Sequence, residues 1–373
     1  VLVEQRHAFE QSGSRGDADG EQATIYAPVT RAVVCPDKFR GTLRADEVAR
    51  AMAAGVRRTG FDEVVELPLA DGGEGTLDTM LAARGGSRRT ARVTGPLGEP
   101  VDAQWGVLTG GVAIVEMAQA SGLALVHHRN DPLRASTRGT GELIAAVRAQ
   151  GFNRVVVAVG GSASTDGGLA AVEALGWSLQ GMKVTVACDV ETSFADAAKL
   201  FGPQKGASGA QVALLTRRLK MLADRYRTRT GVDVARLTGA GAAGGLAGGL
   251  AAIGADLAPG FEVVAEAVGL EAALDGASFA MTGEGRLDPS SLAGKVVGGV
   301  LAWADDLEVG RVAIIAGQAT DDARAALSER SGVQVLALTD RVWQASETYT
   351  RTALLVEEAA IEAARTALGM PAS

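Results

Sequence analysis

At 373 residues the chain is longer than one ordinary core of about 100–200 residues, so two domains are expected. Lys+Arg 36 against Asp+Glu 44 leaves a net charge of −8, so binding a nucleic-acid backbone would gain nothing from counterion release and no nucleic-acid partner is expected. Hydrophobic residues at 47% and charged residues at 21% exclude a disordered or collagenous chain.

The first 30 residues are polar, aperiodic and rich in Gly, Ser, Asp and Gln, and read as a flexible N-terminal tail with no apolar signal-peptide core. Ala32-Val33-Val34-Cys35, stopped by Pro36, reads as a buried strand. Val48, Ala51, Met52, Gly55 and Val56 then recur at helical spacing, with Asp46 and Glu47 in a favourable first turn. Between Arg88 and Glu116 the pattern changes to strands joined by Gly/Pro turns without a helix, which predicts a second, mixed or antiparallel unit. Further continuous apolar runs at 155–159, 184–187, 279–281, 312–316 and 333–338 alternate with helical stretches, the pattern of a mostly parallel sheet covered on both faces.

Cys35 and Cys188 are too few and too far apart for a disulfide framework, and His7, His127 and His128 form no zinc-ligand spacing. A reducing, cytoplasmic setting is expected. The uncharged window 237–255 is mostly Gly and Ala, so burying it in lipid would gain little, and no membrane partner is expected.

Glycine supplies 49 residues, about 13% against a usual value of about 7%. Its concentration in loops after the predicted strands is the strongest functional signal. These loops are Pro36-Asp37-Lys38-Phe39-Arg40-Gly41-Thr42, Asp71-Gly72-Gly73-Glu74-Gly75-Thr76, Gly160-Gly161-Ser162-Ala163-Ser164-Thr165-Asp166, Gly202-Pro203-Gln204-Lys205-Gly206 and Thr282-Gly283-Glu284-Gly285-Arg286-Leu287-Asp288, the last leading to Gly294-Lys295. Loops at the carboxyl ends of α/β strands, with N–H groups unobstructed by Cβ atoms, suit phosphate. Phosphoryl transfer needs cations, a carboxylate-held metal and an acid or base at the attacking hydroxyl. Lys38, Arg40, Lys205, Arg286 and Lys295 are the candidate cations; Asp71, Glu74, Asp166, Asp189, Glu284 and Asp288 are the candidate acids. Mg²⁺ takes only one or two such carboxylates, so most of the six do something else. Any one Asp-Gly-Gly is more often a turn than a ligand, and Lys38 and Arg40 singly are ordinary surface charges; recurrence carries the reading.

Gly239-Ala240-Gly241-Ala242-Ala243-Gly244 matches GxGxxG, but it follows a weak strand and runs into more glycines, so close packing through small residues is preferred over a dinucleotide site. The glycine a Walker loop needs before Gly294-Lys295 falls on Pro289, which excludes a P-loop, and no GxSxG occurs.

Taken in order, PDKFRGTL, ADGGEGT, VTGPLGEPV, GTGEL, VGGSASTDGG, VACDV, FGPQKGA, GAGAAGGLAGG and TGEGRLD followed by SLAGK resemble the type I glycerate kinases across about residues 32–368. The resemblance implies ATP-dependent phosphorylation of D-glycerate, commonly to 2-phosphoglycerate, in a cleft between a flavodoxin-like α/β domain and a second α/β domain interrupting it. The corresponding boundaries are 31–75 with 272–373, and 76–271. Many members read PDSFKGS where this chain has Lys38, Arg40 and Thr42, so the loop gains a cation; 177–184 is shorter, and Glu191-Thr192 replace an Asn-Pro.

The expected catalytic residues are Asp189, orienting the glycerate hydroxyl, and Lys38, with Asp288 in reserve. Arg40, Gly161, Ser162, Ser164, Lys205, Arg286 and Lys295 are expected at phosphate or substrate carboxylate, beside Asp37, Asp71, Gly72 and Gly73. Mg²⁺ is expected on Asp166 and Glu284.

Overall fold

The computed structural model describes residues 30–126, 129–344 and 346–371. The tail up to residue 29, with His7, and the pair His127 and His128 lie outside the described residues. Among the described residues eleven strands occur in chain order: β1 Arg31–Val34, β2 Glu63–Glu66, β3 Gly86–Thr94, β4 Pro100–Leu108, β5 Ala113–Glu116, β6 Arg154–Ala158, β7 Lys183–Ala187, β8 Asp256–Ala258, β9 Phe279–Leu287, β10 Val312–Ala319 and β11 Val333–Ala337.

They form two sheets. The first runs β2-β1-β9-β10-β11, every pair parallel. Numbered by their order within this sheet, the strands read 2-1-3-4-5, the flavodoxin-like order. The whole second sheet is inserted between the second and third of these strands. It runs β3 to β8 in sequence order, antiparallel through β3-β4-β5 and parallel through β5-β6-β7-β8. The fold is therefore a flavodoxin-like parallel sheet interrupted by a mixed α/β insertion.

The apolar runs form strands because both faces are covered. Ala32, Val33 and Val34 of β1 and Ala313, Ile314 and Ile315 of β10 are fully buried. Val33 packs in one cluster with Leu77 and Met80 of helix Thr76–Arg84, Phe261 and Val264 of helix Gly260–Val268, and Ile114 and Val156 of the second sheet. That shared core fixes the loops of one sheet against those of the other.

One expectation changes and one strand is added. The segment 282–287, read as a loop, is strand: β9 continues past its apolar run because β10 pairs with it to Leu287, with Ala316 opposite Glu284 and Gln318 opposite Arg286. Glu63–Glu66 is also a strand, with charged ends, at the edge of the first sheet. The Gly/Ala-rich window 237–255 holds a short 3₁₀ turn and helix Leu246–Ala252, and no helix among the described residues is long and apolar enough to cross a membrane.

Candidate active site

Strand order reverses between β1 and β9, and open α/β sheets bind ligands beyond the carboxyl ends of strands at such a point. Both strands here end in predicted site residues. Asp37 N donates to Gly283 O at 2.9 Å, tying the Pro36–Gly41 loop to β9. Gly285 is needed there, since a Cβ would stand 3.0 Å from Arg40 N. The result is a chamber of about 450 Å³ lined by Asp37, Lys38, Arg40, Glu284, Arg286 and Lys295, with Gln318 and Tyr349 also in its wall. A second chamber of about 330 Å³ is lined by Gly72, Gly73, Glu74, Gly160, Gly161, Ser162 and Asp189. Lys38, Arg40 and Asp71 line both chambers, so the two adjoin across these side chains.

The acids are short of counter-charge. Burial pushes the Asp37 carboxyl up to about 6, and Asp71 adds to this against the opposing Lys38. Burial likewise raises Glu284 to about 7 despite a hydrogen bond from Ser291, with Asp37 adding repulsion and Lys295 relieving it. Asp189 is raised to about 7 by burial and then by Asp71, while the Gly260 and Phe261 amides hold it back. Those amides donate to Asp189 Oδ1 at 2.5 and 3.4 Å. Asp189 Oδ2 and Glu284 Oε1 are buried without a hydrogen-bond partner. Lys38 Nζ lies 3.9 Å from both Asp37 Oδ1 and Asp71 Oδ1 and donates to Glu74 O at 2.9 Å. Oxygen donors with unmet capacity suit a hard cation such as Mg²⁺, which leaves most of its positions to phosphate and water. Among the described residues no cluster of three or more ligands would hold a metal without such help.

Lys205 corrects an expectation. It is only 2% exposed, and its amine donates to Ser162 Oγ at 2.7 Å and Ser164 O at 2.6 Å, so it holds the Gly160–Ser164 loop from behind. Burial lowers its pKa to about 7, with Asp166 opposing. Ser164 is fully buried, so of the expected serine cradle only Ser162 lines the chamber. Asp166, expected at the metal, accepts from Thr137 N and Oγ1 at 2.9 and 2.8 Å and from Gly168 N at 3.1 Å. Both its oxygens serve the fold, and it lines a different pocket from Glu284. Asp288, the reserve catalyst, caps the turn Pro289–Leu292 by accepting from Ser290 N and Oγ, which hold its pKa below the usual range. Arg286 and Lys295 do line the larger chamber.

The GxGxxG run packs as expected. The preceding segment is a 3₁₀ turn, Val234–Arg236, and a Cβ on Gly244 would fall 2.1 Å from Ser164 O. Three site residues escaped the sequence reading: Gln318 and Tyr349 in the chamber wall, and Glu116, which accepts from Gly75 N. For Glu116 the available signal was a polar residue directly after a buried apolar run, and for Gln318 a polar residue one glycine beyond such a run.

Two loops of the smaller chamber touch at Gly160, where a Cβ would stand 2.6 Å from Gly73 Cα and 2.9 Å from Glu74 N. Both contacts are backbone and no rotamer relieves them. Gly160→Ala is expected to cost about 1–3 kcal/mol and to lower turnover about tenfold or more, read by thermal unfolding and initial rates.

The glycerate kinase family model matches residues 32–182 and 177–368. A glycerate 2-kinase of Escherichia coli (strain K12) is 40% identical, covering 78% of this chain and 86% of its own. A glycerate kinase of Bacillus subtilis (strain 168) is 37% identical, covering 79% and 86%. A crystal structure provisionally named glycerate kinase 2, from Salmonella typhimurium LT2, superposes with a TM-score of 0.77 at 34% identity, covering 91% of this chain and 98% of that one. With matches spanning both sheets and every glycine-rich loop of the site, the chain belongs to the glycerate kinase family.

Proposed function

We propose that the chain transfers the terminal phosphoryl group of ATP to the 2-hydroxyl of D-glycerate, where the two chambers meet. The observation that carries this is the junction itself: Lys38, Arg40 and Asp71 belong to both chambers, so a donor in one and an acceptor in the other face the same cations.

Charge distributes the substrates. The larger chamber adds Arg286 and Lys295 to the shared pair, a setting for the triphosphate. The smaller adds the exposed Gly161 at φ +74° and Ser162, donors suited to one carboxylate, and so takes glycerate. Asp189, whose Oδ1 is held by the Gly260 and Phe261 amides, keeps Oδ2 for the glycerate hydroxyl and accepts its proton during transfer. Lys38 and Arg40 balance the charge on the transferring group. Glu284 and Asp37 are the residues that would hold Mg²⁺, which when bound would supply positive charge to the transferring phosphoryl group. Two free cysteines and dependence on ATP support a cytoplasmic setting.

The test is ADP release followed by a coupled assay with ATP, Mg²⁺ and D-glycerate. Release that depends on glycerate and saturates with it is expected; folded protein that releases ADP at the same rate without glycerate would count against the proposal.

A further inference from the structure

Glu116 ends β5 in the second sheet, yet its carboxylate reaches the loop that leaves the first. It is 2% exposed; Oε1 accepts from Gly75 N at 2.9 Å and Oε2 from Leu77 N at 3.3 Å. The carbonyl of the same Glu74–Gly75 peptide accepts from Lys38 Nζ at 2.9 Å. One peptide group is thus gripped at its N–H by a buried carboxylate and at its C=O by the ammonium that lines both chambers. The other oxygens close to Lys38, on Asp37 and Asp71, are 3.9 Å away.

We propose that Glu116 is a positioning residue that fixes Lys38 at the junction of the two chambers through the Glu74–Gly75 peptide. A negative charge at the N–H end polarises the peptide and makes its carbonyl a stronger acceptor, so the two hydrogen bonds reinforce each other. Gly75 stands at φ +93° before helix Thr76–Arg84 and has no side chain to cap it, so Glu116 also caps that helix. A cap alone would stabilise the fold without being coupled to Lys38.

The inference rests on the role given to Lys38 above, and a double-mutant cycle separates the two. Glu116→Gln is expected to lower kcat about tenfold with the KM for glycerate within about twofold, and Lys38→Met to lower kcat about 100-fold. In the Lys38→Met background, Glu116→Gln should change kcat by less than about twofold, while it still lowers the melting temperature through the lost cap, by no more than in the parent. Glu116→Asp keeps the charge at the helix start but falls short of Gly75 N; it should lose as much kcat as the glutamine variant with less loss of melting temperature. It serves as the readout should Glu116→Gln not fold. Losses of kcat that multiply across the two sites would overturn the positioning role and leave Lys38 in place. Unchanged kcat in Lys38→Met would overturn the role of Lys38 and this inference with it, and ADP release by the parent would still test the kinase assignment.

Discussion

Asp189→Asn lowers turnover by about 100- to 1,000-fold while the KM for glycerate stays within about twofold. The asparagine Oδ1 can still accept from the Gly260 amide, so the loop is kept and only the proposed proton acceptor is lost. The pH dependence has a definite sign. Asp189 is raised to about 7 in the fold, so its basic form disappears as pH falls through 7, and kcat/KM falls with it. Asp189→Asn makes that acid limb shallower. Stability moves the other way. A carboxyl whose folded pKa lies above its unfolded value of about 3.9 binds its proton more tightly in the fold, so its contribution is full below about pH 4 and declines as pH rises to about 7. Asp189→Asn therefore melts higher than the parent at pH 8, and the difference closes toward pH 4. A variant that melts lower at pH 8, or turns over normally, contradicts the role.

Lys205→Met is expected to cost about 1–3 kcal/mol and to reduce turnover about 10- to 100-fold. Methionine fills the space but leaves the buried Ser164 carbonyl and the Ser162 hydroxyl without the amine that ties them together. Ser162 lines the smaller chamber, so in the proposed arrangement a freer loop orients the glycerate less well. The pKa of Lys205 is lowered to about 7 by burial, below its ordinary 10.5, so between these values the unfolded chain binds the extra proton. Parent stability gains from this group as pH rises from about 7 to about 10.5, and Lys205→Met removes that gain. Melting curves across that range together with initial rates decide it; rates unchanged in a variant that folds would mean that Ser162 needs no such support.

The sequence made the first sheet legible because its inner strands are buried on both faces and read as unbroken apolar runs, as in Ala32–Val34 and Val312–Ala316. It hid the edge strand Glu63–Glu66, whose residues are half-buried or exposed, and the end of β9, where pairing with β10 makes a strand of Thr282-Gly283-Glu284-Gly285-Arg286 against its composition. Glycine density marked loops whose backbones approach closely, since close approach is what removes a Cβ: Gly160 meets Gly73, and Gly244 meets Ser164. What it could not mark is which polar atoms the protein itself consumes. Asp166 and Asp189 each follow a buried strand and look alike in the sequence. Thr137, 29 residues away, takes one Asp166 oxygen, whereas Asp189 keeps one free. Lys205 and Lys295 both follow a glycine-containing turn, yet Lys205 is buried behind the loop and Lys295 lines the chamber. Glu116 acts on a loop 41 residues earlier, a separation that leaves no local pattern.

The most direct measurement of the central claim is ³¹P NMR of the products formed from ATP and D-glycerate by the Mg²⁺-loaded protein. Donor and acceptor meeting at one junction predict one phosphomonoester of glycerate for each ADP formed, with little inorganic phosphate, and the proposed reaction puts it on the 2-oxygen. ADP accompanied by inorganic phosphate alone would contradict the meeting of donor and acceptor at one junction, and a phosphoryl group on the 3-oxygen would overturn the 2-hydroxyl assignment.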